Sequence, residues 1–379
     1  MDSLAHNYLQ GGTSGVGEEV VRGLASRGAQ IVLLTQHALS DPFIVDYIED
    51  VRSDTGNELI TAEQVDLASL HSIRTFATKW IDNAPPRRLD LVILCGSTLT
   101  PKGSSIQSTS EGVEVNWQVN YLANFHLLSI LSPALRAQPA DRDVRVLFGT
   151  CSSYLGGDLL HISKPSQKMS TKGSSKSESV DAIQEPTKFS PANAYATSKF
   201  ALTTFALAFQ KHLNAYERPD KMPNNTKVLL IDPGLCRTPG TRRWLTFGSL
   251  FGLLLYLIFY PFWWLVLKSP AMGAQSFLFA AMEEQYRTGE GGWMVKECRQ
   301  RPLGREDVRD EETQKRLWEY SEKMVQEAEK RGAEGRTRAK KEEKEKLEEA
   351  DAIKEMQDYK DKVGKKEKKE GSRRSRKAG

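Results

Sequence analysis

Apolar and polar positions follow two rhythms along this chain, and their order predicts its architecture. Short apolar runs occur at 29–35 (AQIVLLT), 89–96 (LDLVILCG), 144–150 (VRVLFGT) and 227–232 (KVLLID). Runs of this length and evenness are strands covered on both faces, as in a parallel sheet. A more polar run at 59–65 completes the series. Between them apolar residues recur at helical spacing. Val20, Val21, Leu24 and Ala25 predict a helix over 18–27, closed by Gly28. Ile73, Phe76, Ala77 and Trp80 predict one over 69–83, and Val115, Val119, Leu122 and Phe125 one over 111–131. Further helices are expected over 42–55, 191–206 and 273–282, with a last turn and strand in GEGGWMV. Strands alternating with helices predict an α/β fold, a doubly wound parallel sheet with helices on both faces.

Three stretches break the rhythm. The opening MDSLAHNYL is poor material for a central strand, because His6 and Asn7 interrupt Leu4, Tyr8 and Leu9. The first strand is therefore expected to be short and irregular, or this start is not the native start of the fold. Residues 157–190 are rich in Ser and Lys with little to bury, and predict a flexible insertion. Residues 244–267 run 24 positions without a charge, between Arg242–Arg243 and Lys268. That length meets the requirement for a membrane-spanning helix, and Trp244, Tyr260, Trp263 and Trp264 suit an interface. Pro261 also allows a segment that dips in and returns; a core helix is the competing reading.

The domain plan that follows is a dinucleotide-binding and catalytic domain over 1–243, a membrane-associated segment over 244–267, completion of the domain over 268–330, and a charged tail over 331–379. The tail alternates Glu with Lys and Arg, as a solvated helix or disordered chain does. Its last residues are basic without an aromatic to stack on bases, so no nucleic-acid partner is expected. Net charge is only +4, which adds nothing to that case. The four cysteines are far apart with no C-x-x-C pair, which fits a reducing compartment and gives no metal site.

Candidate chemistry sits in two places. Gly11, Gly15 and Gly17 form a Gly-x-x-x-Gly-x-Gly loop opening the first helix. Glycines there let the backbone approach a pyrophosphate at a helix N-terminus. After the second strand stand Thr35, Gln36 and His37, with no carboxylate before Asp41, which leans the cofactor toward NADP(H) with NAD(H) not excluded. The second place is Tyr195 and Lys199, four apart and so on one helix face. A neighbouring ammonium favours the phenolate and lowers the tyrosine pKa.

The ordered set Gly11-x3-Gly15-x-Gly17, Asp66-Leu67, Asn120 in VNYLANF, Ser152/Ser153 after the fifth strand, Tyr195-x3-Lys199 and Pro233-Gly234-x3-Thr238 resembles the short-chain dehydrogenase/reductase family over roughly residues 9–300. Within it the chain is similar to the retinol-dehydrogenase and 3-ketosteroid-reductase type and to fungal membrane- or lipid-droplet-associated members. The resemblance implies that Gly11, Ser14, Gly15, Val16, Gly17, Asp66, Leu67, Lys199, Pro233, Gly234 and Thr238 hold the cofactor. It implies Tyr195 as general acid, Lys199 as its support, Asn120 as holder of a water, and a serine that binds the substrate oxygen. Ungapped counting puts Cys151 at the serine's place, and a shift of one or two puts Ser152 or Ser153 there; Ser152 is the preferred candidate because a thiol is a weak donor. Two departures stand out: Gln10 replaces the usual Thr, and Ile93-Leu94-Cys95-Gly96 replaces Asn-Asn-Ala-Gly. The implied function is an NADP(H)-dependent oxidoreductase for a lipophilic carbonyl or alcohol (sterol, retinoid or other lipid-derived), at an endoplasmic-reticulum or lipid-droplet membrane with the main domain in the cytosol, with room for a homodimer. The alternative is a membrane or lipid-droplet scaffold that keeps the fold and little catalysis.

Overall fold

The computed structural model describes residues 6–82, 88–159 and 190–375. The insertion expected at 157–190 lies almost entirely outside the described residues. Contacts divide the chain into two units, Met1–Glu329 and Lys330–Gly379.

The first unit is built on an eight-stranded sheet in the order β3-β2-β1-β4-β5-β6-β7-β8. The strands are β1 His6–Gln10, β2 Gln30–Thr35, β3 Ile60–Gln64, β4 Leu91–Leu94, β5 Val144–Gly149, β6 Thr226–Asp232, β7 Trp293–Lys296 and β8 Arg299–Arg301. All neighbours are parallel except β7 and β8. Because side chains alternate along a strand, each strand feeds two cores. Tyr8, Val32, Leu34, Val92, Leu94, Val228 and Leu230 face one side, and Leu9, Ile31, Leu33, Leu91, Ile93, Leu229 and Ile231 the other.

The helices cover these faces. One face takes α1 Gly15–Ala25, α2 Pro42–Thr55 and α10 Pro270–Met282, through Val20, Tyr47 and Phe277 among others. The other takes α3 Leu70–Ile81, α5 Ala123–Arg136 and α6 Pro191–Asn214. A short helix α4, Val115–Trp117, and a π turn, Gln118–Leu122, lead into α5. The start of α11, Glu311–Ser375, joins the second core through Leu317 and Val325, and the Trp318 ring lies against Phe125 and Phe205.

Two expectations are corrected. Strand β1 is central and regular, paired with β2 and β4. Tyr8 and Leu9 are fully buried, and buried Asn7 has a polar partner, so its side chain does not interrupt the strand. Residues 244–267 do not form one helix. They contribute to α7 Pro239–Leu245 and make α8 Leu250–Ile258 and α9 Tyr260–Val266, and among the described residues no helix is long and apolar enough to cross a membrane. Pro261 sits in the first turn of α9, where its ring is tolerated, and Phe259 makes the break between α8 and α9. The excursion is closed at its base by the Cys236–Lys268 bridge.

Candidate active site

The carboxyl ends of β1, β4, β5 and β6 bring the candidate residues together, as the strand order of an open α/β sheet requires. The turn after β1 is Gly11 to Ser14, and Ser14 is the N-cap of α1. Gly15 has φ +58°, and a Cβ there would stand 3.1 Å from the Thr238 methyl carbon. A Cβ on Gly17 would stand 2.0 Å from the Gly11 carbonyl oxygen, so no side chain fits. Val16 is buried beneath the loop. Gly15 thus lies close against Thr238, and the turn Gly11–Gly17 leaves no room for side chains at these glycines, as a backbone turn that approaches a phosphate at a helix N-terminus requires.

The other walls follow. Asp66 closes an Asx turn, accepting from the Ala68 N–H at 2.9 Å, and Leu67 packs toward Gly96. Gly234 has φ +78°, and its N–H donates to Asp232 at 2.8 Å. Thr238 caps α7, accepting from Thr241 N–H at 3.3 Å. At the end of β2, Thr35 accepts from the His37 N–H, and His37 pairs with Asp41 at 3.0 Å.

Helix α6 starts at a Ser190 N-cap with Pro191 in its first turn. It presents Tyr195 and Lys199 to the same cleft, the Lys199 Nζ 5.7 Å from the Tyr195 ring centre. The ammonium is 3% exposed as a residue and donates to the Gly149 carbonyl at 2.9 Å. Among the described residues that is its one hydrogen bond, and an ammonium carries three donors. Burial lowers its pKa, opposed by Cys151, Cys95 and Asp232. Burial also pushes the Tyr195 phenol well above its ordinary value, reinforced by Cys151. The expected lowering of that pKa by Lys199 is not what dominates.

Asn120 lies in the π turn, a break often found at functional sites. Its side chain is fully engaged with protein. The amide donates to the Thr98 carbonyl and the Ser198 hydroxyl, each at 3.0 Å. Its oxygen accepts from Thr98 N–H at 2.7 Å and Ser97 at 3.2 Å. Its backbone carbonyl accepts from Asn124 at 2.9 Å. Asn120 therefore ties the loop after β4 to α6, rather than reserving its amide for a water.

The thiol of Cys151 is 3.5 Å from the Tyr195 hydroxyl and 2.7 Å from the Ser153 hydroxyl. Ser152, the preferred serine, instead donates to Asp232 at 2.6 Å and accepts from Lys296 at 2.8 Å. Three participants escaped the sequence reading: Ser97, whose hydroxyl donates to Asn120 and whose presence opposes the rise of the Tyr195 pKa, and the Asp232–Lys296 pair at 3.1 Å. Only strand adjacency could reveal that pair, since β6 and β7 are 60 residues apart in sequence but neighbours in the sheet.

Known proteins resemble this chain in sequence and in fold. No family model matches the chain. It is 41% identical over 323 residues to an uncharacterized oxidoreductase of Schizosaccharomyces pombe, covering 85% of this chain and 81% of that protein. It is 33% identical over 348 residues to an uncharacterized oxidoreductase of Saccharomyces cerevisiae, covering 86% and 80%. With mouse polyprenol dehydrogenase it shares 31% over 314 residues, covering 82% and 80%. Among solved structures, an NADP complex of Pseudomonas aeruginosa RhlG matches with a TM-score of 0.52 at 19% identity, covering 77% of this chain and 94% of that one. L-sorbose reductase from Gluconobacter frateurii, with NADPH and L-sorbose, matches at 0.51 and 18%, covering 78% and 95%. The last two are likenesses of fold.

Proposed function

We propose that this oxidoreductase, which belongs to the short-chain dehydrogenase/reductase family, is an NADP(H)-dependent reductase of a lipophilic carbonyl such as a sterol, retinoid or polyisoprenoid, with Tyr195 as its proton donor. The single observation that carries the reading is the pairing of Tyr195 with a buried Lys199, hydrogen bonded to the Gly149 carbonyl, in a chain whose first turn admits no side chain at Gly17. These residues fit a nicotinamide nucleotide. The loop Gly11–Gly17 with Ser14 and Val16 would take the pyrophosphate, Asp66 and Leu67 the adenine side, and Pro233, Gly234 and Thr238 the nicotinamide side. Two free donors on Lys199 would take the ribose hydroxyls. The absence of a carboxylate at residues 35–37 favours the phosphorylated form. Bound nicotinamide supplies or accepts the hydride.

The protein's own contribution is to the proton. Burial keeps the Tyr195 phenol protonated across the neutral range, so it can donate to a carbonyl oxygen as negative charge develops there. Cys151 contacts the hydroxyl. Asn120 holds the loop that carries Ser97 against α6.

The lipophilic class rests on the excursion between Thr238 and Leu267 and on the likeness to mouse polyprenol dehydrogenase. Leu250, Phe251 and Leu265 are 87%, 70% and 78% exposed. A large apolar side chain left in water forgoes about 1.5–3 kcal/mol, so a contiguous set of them seeks a non-aqueous partner. Arg242, Arg243 and Lys268 flank the set, as suits anionic headgroups. The proposed seat is one leaflet of an endoplasmic-reticulum membrane or a lipid-droplet surface, entered by α8 and α9 without crossing. This placement begins at Thr238, so the cleft opens beside the lipid.

Purified protein with NADPH and a panel of retinals and 3-ketosteroids tests the chemistry, with Tyr195→Phe as control. Turnover independent of Tyr195, or none at all despite NADPH binding, would overturn it. A scaffold with little catalysis would bind no NADPH; the assembled Tyr195–Lys199 site argues against it.

A further inference from the structure

We infer that Cys151, not a serine, shares the substrate oxygen with Tyr195, and that Ser152 is a strut that fixes the turn carrying this thiol. The inference rests on the reading of Tyr195 as proton donor and deepens it.

Strand β5 ends at Gly149, whose carbonyl holds Lys199, and Cys151 continues in extended backbone at φ −162° and ψ 161°. Ser152 then opens a short 3-10 turn. Side chains on extended chain alternate, so neighbours point apart. The thiol goes to Tyr195 and the Ser152 hydroxyl to Asp232. A hydroxyl has one proton to donate. That of Ser152 is given to Asp232 at 2.6 Å, while Lys296 donates to the same oxygen at 2.8 Å. Asp232 is buried and also accepts from Gly234 N–H and from Lys296 at 3.1 Å. Taking Ser152 away would strip a buried carboxylate of a partner, which is costly. Ser152 therefore has nothing left for a substrate.

Cys151 is placed differently. Its sulfur contacts Tyr195 Oη, and Ser153 backs it at 2.7 Å. A hydroxyl is the stronger donor of this pair, so the Ser153 proton goes to the sulfur and the S–H serves an oxygen held by Tyr195. A thiol is the weaker donor, so the site works below what a hydroxyl in the same place would give. Burial pushes the Cys95 and Cys236 thiols to about 11, so both stay protonated and slow to alkylate.

The test compares wild type with Cys151→Ser, Cys151→Ala, Ser152→Ala and Tyr195→Phe, in NADPH-dependent reduction of all-trans-retinal and in alkylation by iodoacetamide read by peptide mass. In alkylation the Cys151 sulfur displaces iodide and its proton leaves to solvent, so no substrate is needed. Expected are a rise in kcat for Cys151→Ser, a fall of about 10-fold for Cys151→Ala, and for Ser152→Ala a lower melting temperature with the alkaline limb of the pH profile displaced. Tyr195→Phe should change the Cys151 labelling rate at least about 2-fold, since one hydrogen bond is lost. Full activity in Cys151→Ala, or a labelling rate indifferent to Tyr195→Phe, overturns the inference while leaving Tyr195 as acid. Full activity in Tyr195→Phe overturns the reading beneath it.

Discussion

Helix α6 and the pair α8–α9 are both rich in apolar residues, yet the fold treats them oppositely. In α6 Phe200, Ala201, Phe205 and Phe209 are all buried, and the packing of that helix is what aims Tyr195 and Lys199 at one cleft. In α8 only Gly252 and Tyr256 are buried, and in α9 no residue is. The pair is held by little more than the stacking of Tyr256 on Trp263 and Arg237 against Trp264. The difference teaches that apolar sequence alone does not say which solvent a helix will meet. One set of side chains is matched by a core; the other is left for a partner outside the chain.

Substitutions in the two regions separate these behaviours. The largest effect belongs to Tyr195→Phe, which removes only an Oη in contact with Cys151. The rate of carbonyl reduction should fall by about 10²–10⁴-fold, with NADPH binding retained by fluorescence titration. Next comes a matched pair. Phe205→Ala opens a cavity beneath Tyr121, Phe125 and Trp318 and should cost about 3–5 kcal/mol in denaturant unfolding. Phe251→Ala, at an exposed site, should stay within about 0.5 kcal/mol. Equal costs would mean that α8 is part of the core after all.

On vesicles of phosphatidylcholine and phosphatidylserine the order should reverse. Glutamate at Leu250, Phe251 and Leu265 together should weaken co-flotation by more than about 10-fold, leaving the melting temperature unchanged. Unaltered flotation, or a dimer that disappears in the variant, would assign the surface to something other than lipid.

A smaller effect is pH-dependent. His126 is buried on α5 near Glu329, and burial holds its pKa down at about 4. Folded protein then binds fewer protons than unfolded protein between that value and about 6.5. Stability should be undiminished above about 6.5, decline as pH falls below it and level off near 4, by about 3 kcal/mol. His126→Asn should flatten that slope in urea titrations at several pH values; an unchanged slope would place the titration elsewhere.

Much of this architecture was legible. The even apolar runs became β2, β4, β5 and β6, because strands covered on both sides need apolar residues on both faces. The Tyr195–Lys199 pairing followed from helix periodicity. Strand β1 was obscured because His6 and Asn7 read as surface residues, while in the fold Asn7 is buried with a partner. The choice among Cys151, Ser152 and Ser153 turned on side-chain direction in two or three residues of extended chain, which composition does not encode. The Asp232–Lys296–Ser152 network joins three segments by strand adjacency. The break in 244–267 needed the position of Pro261 within a helix, not merely its presence.

The central claim is that Tyr195 passes a proton to a carbonyl oxygen in an NADPH-dependent reduction. Its most direct measurement is the rate of NADPH consumption with all-trans-retinal on mixed vesicles, for wild type and Tyr195→Phe side by side. Consumption by wild type that falls at least about 100-fold in the variant is the predicted result. Equal rates in the two proteins would contradict it.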